Sequence, residues 1–94
     1  MELFNWDNEK NEKLKKKRGV SFEKVLFCIK NDQLLDIIEH PNQEMYKGQR
    51  MYVVAIENYA YIVPFVDDGD ERFLKTIFPS RKYTKIYLSK GGSK

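Results

Sequence analysis

The sequence has a single cysteine and a single histidine among its 94 residues. One cysteine, Cys28, excludes an intrachain disulfide and a metal site built from several thiolates. Phosphate-loop, zinc-ligand and G-x-S-x-G spacings are also missing from the chain. The apolar runs are too short to cross a bilayer, and the first residues lack the apolar stretch of a signal peptide. We therefore expect a cytoplasmic protein that uses no metal and no cofactor.

Charged and aromatic residues are abundant instead. Lys and Arg number 17 against 14 Asp and Glu, so the net charge is +3. This mild excess permits an anionic partner without requiring one. The hydrophobic fraction of 41% is typical of a folded domain. We assign residues 1–90 to one domain and residues 91–94 to a flexible tail.

Two helices are predicted in the first third of the chain. Asp7 is a suitable N-cap and Gly19 a suitable stop, so residues 8–18 form a polar surface helix. Ser21 caps the second helix, whose apolar residues recur at helical spacing, and Asn31 ends it.

Strands are predicted after the helices, over residues 34–40, 50–57, 59–66 and 73–78, and residues 1–6 form a short edge strand. Pro64 indicates that its strand is irregular or near an edge. Residues 80–88 form a short C-terminal helix. The predicted fold is α+β, with two N-terminal helices packed on an antiparallel sheet of three to five strands and all helices against one face.

The last predicted strand runs into a helix that opens with two cations, Arg81 and Lys82. Cations at a helix start oppose the helix dipole, so a purely structural role is slightly less favoured for them. The planar fork of arginine binds two phosphate oxygens at once. We therefore predict a phosphate site at this strand–helix junction.

Three stretches of the chain resemble the BrnT family of type II toxins. The opening Phe4-Asn5-Trp6-Asp7, with Asn11, Lys17 and Arg18-Gly19-Val20-Ser21-Phe22-Glu23, resembles the family's F-x-W-D-like and K-H-G-[VI]-x-F-like stretches. The middle Tyr46-Lys47-Gly48-Gln49-Arg50 is similar to its Y-G-E-x-R-like stretch. The end, Ile77-Phe78-Pro79-Ser80-Arg81-Lys82-Tyr83-Thr84, is similar to its I-x-S-A-R-K-A-T-like stretch.

The resemblance implies a RelE/ParE-like fold and a ribonuclease toxin that is neutralised by a DNA-binding antitoxin. Operator DNA would be contacted only through that antitoxin. The chain is a divergent member at three positions. Arg18 stands in place of the family histidine, Gln49 in place of an acidic residue and Tyr83 in place of an alanine.

RNA cleavage without a metal requires activation of the ribose 2′-OH, stabilisation of charge on the phosphate and protonation of the leaving oxygen. Arg81 is our first candidate for charge stabilisation and Arg50 the second. The other predicted catalytic residues are Lys82, Tyr83, Tyr87 and His40. The predicted RNA-binding residues are Lys17, Arg18, Lys75 and Lys85. The lysine run Lys13, Lys15, Lys16 and Lys17 is more typical of a solvated helix face than of an RNA-binding track.

Three functions are open at this point. The leading one is a toxin of a type II toxin–antitoxin system that acts as a metal-independent endoribonuclease and inhibits translation. Arg18, in place of the family histidine, motivates a non-catalytic module that binds an antitoxin or RNA. The third is a toxin with a protein target such as a topoisomerase, because ParE-type relatives use the same fold for that purpose.

Overall fold

A computed structural model describes residues 3–88, and the predicted tail at 91–94 lies outside them. The elements in chain order are β1 (Leu3–Asn5), α1 (Asn8–Arg18), α2 (Phe22–Lys30), β2 (Leu34–Glu39), β3 (Arg50–Ile56), β4 (Tyr59–Asp68), β5 (Glu71–Leu74), β6 (Phe78–Pro79) and α3 (Arg81–Leu88). The predicted α+β class is confirmed. Within residues 3–88 no helix is long and apolar enough to cross a membrane.

The first two helices begin and end where the sequence predicts. The Asp7 carboxylate accepts a hydrogen bond from the Glu9 N–H at 2.9 Å, and the Ser21 hydroxyl accepts one from the Lys24 N–H at 3.1 Å. Gly19 ends α1 in the left-handed conformation, with φ at 69°. These side chains and this glycine satisfy backbone groups that a helix end leaves unpaired.

The sheet is mixed, so the predicted antiparallel sheet is wrong. Its strand order is β1-β5-β4-β3-β2, with β6 also paired to β4, which makes six strands among the described residues instead of three to five. β1 runs parallel to β5, with Phe4 opposite Arg72. A strand of three residues carries too little side-chain pattern to specify its partner or direction from the sequence.

The strand predicted over residues 73–78 is two strands with a break between them. β5 ends at Leu74 and β6 starts at Phe78, and both pair with β4. Pro64 lies in β4 opposite the break, where its carbonyl accepts a hydrogen bond from the Lys75 N–H at 2.8 Å. Because proline has no N–H to give in return, the ladder is interrupted there. The irregularity expected at Pro64 thus occurs in the neighbouring strand.

The helices cover both faces of the sheet, so the expectation that they share one face is wrong. One core contains Leu14 and Val25 of the first two helices and, from the sheet, Tyr52, Val54, Val63, Phe65 and Leu74. The other core contains Met51, Val53, Ala60 and Ile62, packed against Tyr83, Tyr87 and Leu88 of α3. The reason lies in β3, whose residues 51–56 are all buried. A strand that is apolar on both faces needs cover on both.

A buried asparagine connects α1 to α2. Asn11 is 2% exposed, and its side-chain oxygen accepts a hydrogen bond from the Phe22 N–H at 2.8 Å. Its side-chain nitrogen donates to the Glu23 carboxylate at 2.9 Å, and this bond is the main reason that the pKa of Glu23 lies below its usual value. α1, with Leu14 as its one buried apolar residue, is therefore fixed partly by polar contacts.

Candidate functional site

The start of α3 is fixed to the sheet by Ser80 and Thr84. The Ser80 N–H donates to the Ala60 carbonyl at 2.9 Å, and the Ser80 hydroxyl accepts from the Tyr83 N–H at 3.1 Å as an N-cap. The Thr84 hydroxyl donates to the Ser80 carbonyl at 2.7 Å and accepts from the Ala60 N–H at 2.9 Å. The first turn of α3 therefore has a defined position beside the start of β4.

Three exposed cations lie on α3, and one of them is Arg81, the first candidate for charge stabilisation. Arg81, Lys82 and Lys85 make no ion pair with another described residue, and the first turn has no acidic side chain. Positive side chains at the positive end of a helix dipole raise the free energy unless an anion is close. The same end supplies N–H groups that bind phosphates. The helix start is thus an electropositive surface with the chemistry of a phosphate site.

The two tyrosines of α3 are half-buried against the sheet. Their rings stack with centroids 6.2 Å apart, and the Lys82 ammonium lies 5.4 Å from the Tyr83 ring. The Tyr87 hydroxyl donates to the Asp36 carboxylate of β2 at 2.5 Å. This hydrogen bond lowers the pKa of Asp36 and raises the pKa of Tyr87. Tyr87 therefore stays protonated at neutral pH and cannot serve as a general base there.

We expect Tyr87→Phe to lower the melting temperature by a few degrees, because the bond to Asp36 is lost. Asp36 has a depressed pKa, so its contribution is present above about pH 4 and is lost as pH falls through the folded-state pKa. Tyr87 has a raised pKa, so its contribution is present below about pH 10 and is lost as pH rises through the folded-state pKa.

Melting curves across pH test this prediction. The difference between wild type and Tyr87→Phe should be largest at neutral pH and shrink at both extremes. Tyr83→Phe is the matched control, because the Tyr83 hydroxyl has no hydrogen-bond partner among residues 3–88. A difference that does not vary with pH would rule out the hydrogen bond as its source.

Arg50, the second predicted candidate, lies on the opposite face of the sheet from α3. It forms an ion pair with Asp67 at 2.9 Å, and its guanidinium lies 5.1 Å from the buried Phe65 ring. Phe65 faces Arg50 across the ladder and is five residues along β4 from Ala60, which is about 17 Å of strand. The first and second candidates for charge stabilisation, Arg81 and Arg50, therefore lie on opposite faces of the sheet.

Arg72, which was not predicted as a site residue, joins Arg50 on the same carboxylate. Its Nε lies 3.3 Å from Asp67, its Nη1 donates to the Tyr52 hydroxyl at 2.6 Å, and its guanidinium lies 5.3 Å from the Phe65 ring. The hairpin turn at Gly69 places Asp67 opposite Arg72. The turn-forming residues around Gly69 were therefore the sequence signal that could have placed Arg72 beside Asp67.

The surroundings of this arginine pair disfavour a phosphate. The end of β4, the adjoining turn and the start of β5 carry Asp68, Asp70 and Glu71, and the Asp67 carboxylate already forms ion pairs with both guanidiniums. A phosphate approaching here would meet an excess of negative charge. We therefore assign Arg50 and Arg72 to holding the β4–β5 end of the sheet together.

His40 lies at the same end of the sheet as Arg50 and away from Arg81. It follows β2, and its N–H donates to the Gln49 carbonyl at 3.0 Å, next to the start of β3. The ring stacks on Tyr46 with centroids 4.2 Å apart, and Nδ1 accepts from the Asn42 N–H at 3.0 Å. The histidine is therefore engaged in the β2–β3 loop and does not join the α3 cations.

A second positive surface lies along α1. A groove of about 200 Å³ is lined by Lys10, Lys13, Leu14, Lys17 and Arg18. It contains two of the predicted RNA-binding residues, Lys17 and Arg18. Lys10 was not predicted, and Lys13 belongs to the lysine run interpreted as a solvated helix face, although the helical spacing of both residues from Lys17 is a readable signal. Lys85 lies on α3, and Lys75 is exposed just after β5.

No family model, curated protein or solved structure matches this chain. Within residues 3–88 no group of three or more His, Cys, Asp or Glu side chains is placed to hold a metal ion. The functional assignment therefore depends on the charges and contacts of the described residues and on the three motif-like stretches of the sequence.

Proposed function

We propose that the protein is a cytoplasmic, BrnT-like toxin of a type II toxin–antitoxin system with a RelE/ParE-like fold. Its activity is metal-independent endonucleolytic cleavage of RNA, which inhibits translation. The observation that carries this proposal is the start of α3. Arg81 and Lys82 are exposed there at the positive end of a helix, without an acidic partner among the described residues.

The chemistry follows from the side chains at that helix start. The Arg81 guanidinium binds two oxygens of the scissile phosphate, and Lys82 adds positive potential as charge builds up in the transition state. The half-buried Tyr83 ring, under the Lys82 ammonium, provides a surface on which the neighbouring base stacks. Because His40 lies at the other end of the sheet, charge stabilisation is the main catalytic contribution of this site.

The antitoxin would bind the same surface. A segment rich in Asp and Glu would pair with Arg81, Lys82 and Lys85 and exclude RNA from them. The DNA-binding part of the antitoxin, not this chain, would contact operator DNA.

One observation favours a non-catalytic module as the second candidate. Arg18 replaces the family histidine, and its Nη1 donates to the Ile77 carbonyl at 2.9 Å. A guanidinium that holds a backbone carbonyl has a structural role and does not transfer protons at neutral pH. A protein with this substitution would bind an antitoxin or RNA without cutting.

Inducible expression followed by total-RNA analysis within minutes separates the functions. RNA loss in cells, together with cleavage by purified protein in a metal chelator, is the expected result. Arrested growth with intact RNA would overturn the nuclease proposal in favour of a protein target such as a topoisomerase. Normal growth and intact RNA, with tight binding of antitoxin or RNA, would overturn it in favour of the binding module.

A further inference from the structure

The positive surfaces of α1 and α3 lie on opposite faces of the sheet, and one short segment joins them. Arg18, at the end of the α1 groove, donates to the Ile77 carbonyl at 2.9 Å. Ile77 precedes β6, and Arg81 follows β6. Four residues span at most about 14 Å, so the groove and the start of α3 are close neighbours around the β6 edge.

The α1 groove carries positive charge that no neighbouring acid neutralises. Lys10, Lys13 and Lys17 follow one side of α1 over about 10 Å. Along the described part of the chain, none of them forms an ion pair, and Glu12 pairs instead with Lys15 at 3.2 Å. An anion in the groove would therefore not have to displace a carboxylate.

β6, which joins the two surfaces along the chain, carries an exposed aromatic side chain. Phe78 is 36% exposed; along the chain it follows Ile77, whose carbonyl Arg18 contacts, and precedes the start of α3. Nucleic-acid bases stack on exposed aromatic rings whatever their sequence. Cations on both sides of an exposed ring are the combination found in proteins that bind single strands.

We propose that a single-stranded RNA runs along a continuous basic track, from α3 around the β6 edge into the α1 groove. The track consists of Arg81, Lys82 and Lys85, then Phe78 and Lys75, then Arg18, Lys17, Lys13 and Lys10. The turn from one face of the sheet to the other selects a flexible single strand over a stiff duplex. The choice of RNA rests on the proposed function, whereas the path itself does not.

Salt dependence of binding tests the track. The probe is a 2′-O-methyl oligonucleotide of about 12 nucleotides, which cannot be cleaved through its 2′ oxygen, titrated in about 50 to 200 mM KCl. The groove variant carries Lys10→Gln, Lys13→Gln and Lys17→Gln. The control variant carries Lys15→Gln, Lys16→Gln and Lys30→Gln, which remove the same charge from exposed positions outside the groove.

The slope of log affinity against log salt is negative, and each single-strand phosphate contact contributes about 0.7 to its magnitude. The groove variant loses three lysines, so the magnitude of its slope should fall by about 2. The control variant should leave the slope nearly unchanged. Phe78→Ser should weaken binding about tenfold without changing the slope, because it removes stacking and no charge. Equal slope changes in both charge variants would show a diffuse charge effect and overturn the track, as would no change in either.

Three further outcomes distinguish the RNA track from the proposed nuclease function. The wild-type protein could bind the 2′-O-methyl strand, with the expected effects of the variants, and yet never cut a ribose strand of the same sequence. That result would support the track and overturn the proposed nuclease activity. Cutting of the ribose copy with an unchanged slope in the groove variant overturns only the track. Binding of a glutamate-rich peptide, with no binding of RNA, overturns RNA as the occupant.

Discussion

Arg81→Ala is expected to lower the rate of RNA cleavage by about 100-fold, the usual loss when one donor to a transition-state anion is removed. Arg81 is exposed and opens α3, so its removal should leave the fold intact. Arg81→Lys should recover only part of the rate, because lysine restores the charge without the two-pronged geometry. The measurement is the initial rate on a fluorescent RNA in a metal chelator, with melting curves to confirm folding.

Two controls locate the effect on α3. Lys30→Ala removes an exposed cation at the end of α2 and should keep the wild-type rate. Arg50→Ala breaks the pair with Asp67 on the other face of the sheet and should also retain most of the rate. If folded Arg50→Ala lost cleavage and Arg81→Ala kept it, the catalytic centre would lie at the arginine pair.

Asn11→Ala should have the largest effect on stability among the variants considered. The change leaves the buried N–H of Phe22 without its acceptor and removes the Asn11 hydrogen bond from the Glu23 carboxylate. An unsatisfied buried donor costs about 1–3 kcal/mol. We expect a loss of about 2 kcal/mol, or about 8–16 °C in melting temperature for a domain of this size.

The pH dependence identifies the source of this loss. Glu23 has a depressed pKa, so its contribution is present above about pH 4.3 and is lost as pH falls through the folded-state pKa. The difference between wild type and Asn11→Ala should narrow in acid but persist, since the bond to Phe22 does not titrate. Asn8→Ala, at the exposed first residue of α1, is the matched control and should change little. Equal melting temperatures for Asn11→Ala and wild type would contradict the prediction.

The sequence predicted local structure well where the chain's own neighbours determine it. Asp7, Gly19 and Ser21 fix helix ends through bonds to backbone groups within four residues. Side chains of the predicted strand at residues 59–66 alternate between the two faces, with Val63 in one core and Ile62 in the other. Such features follow from covalent geometry and side-chain period.

Features that depend on distant partners could not be predicted in the same way. The direction of β1 is set by β5, and the break after Leu74 is set by Pro64 on the neighbouring strand. The candidate site shows the same limit. Arg50 and Arg81 were grouped by residue type, but strand register places Arg50 over Phe65 on the face opposite α3.

The parallel pairing of β1 with β5 has a consequence for the order in which the protein is completed. The first strand has no partner until the chain has been made as far as Glu71–Leu74, so Phe4 cannot take its place against the core earlier. The helix pair held by Asn11 needs only its own neighbours and can form while synthesis continues. α3, with Arg81, comes later still. The surface that contains Arg81 is therefore assembled later than the helix pair at the start of the chain.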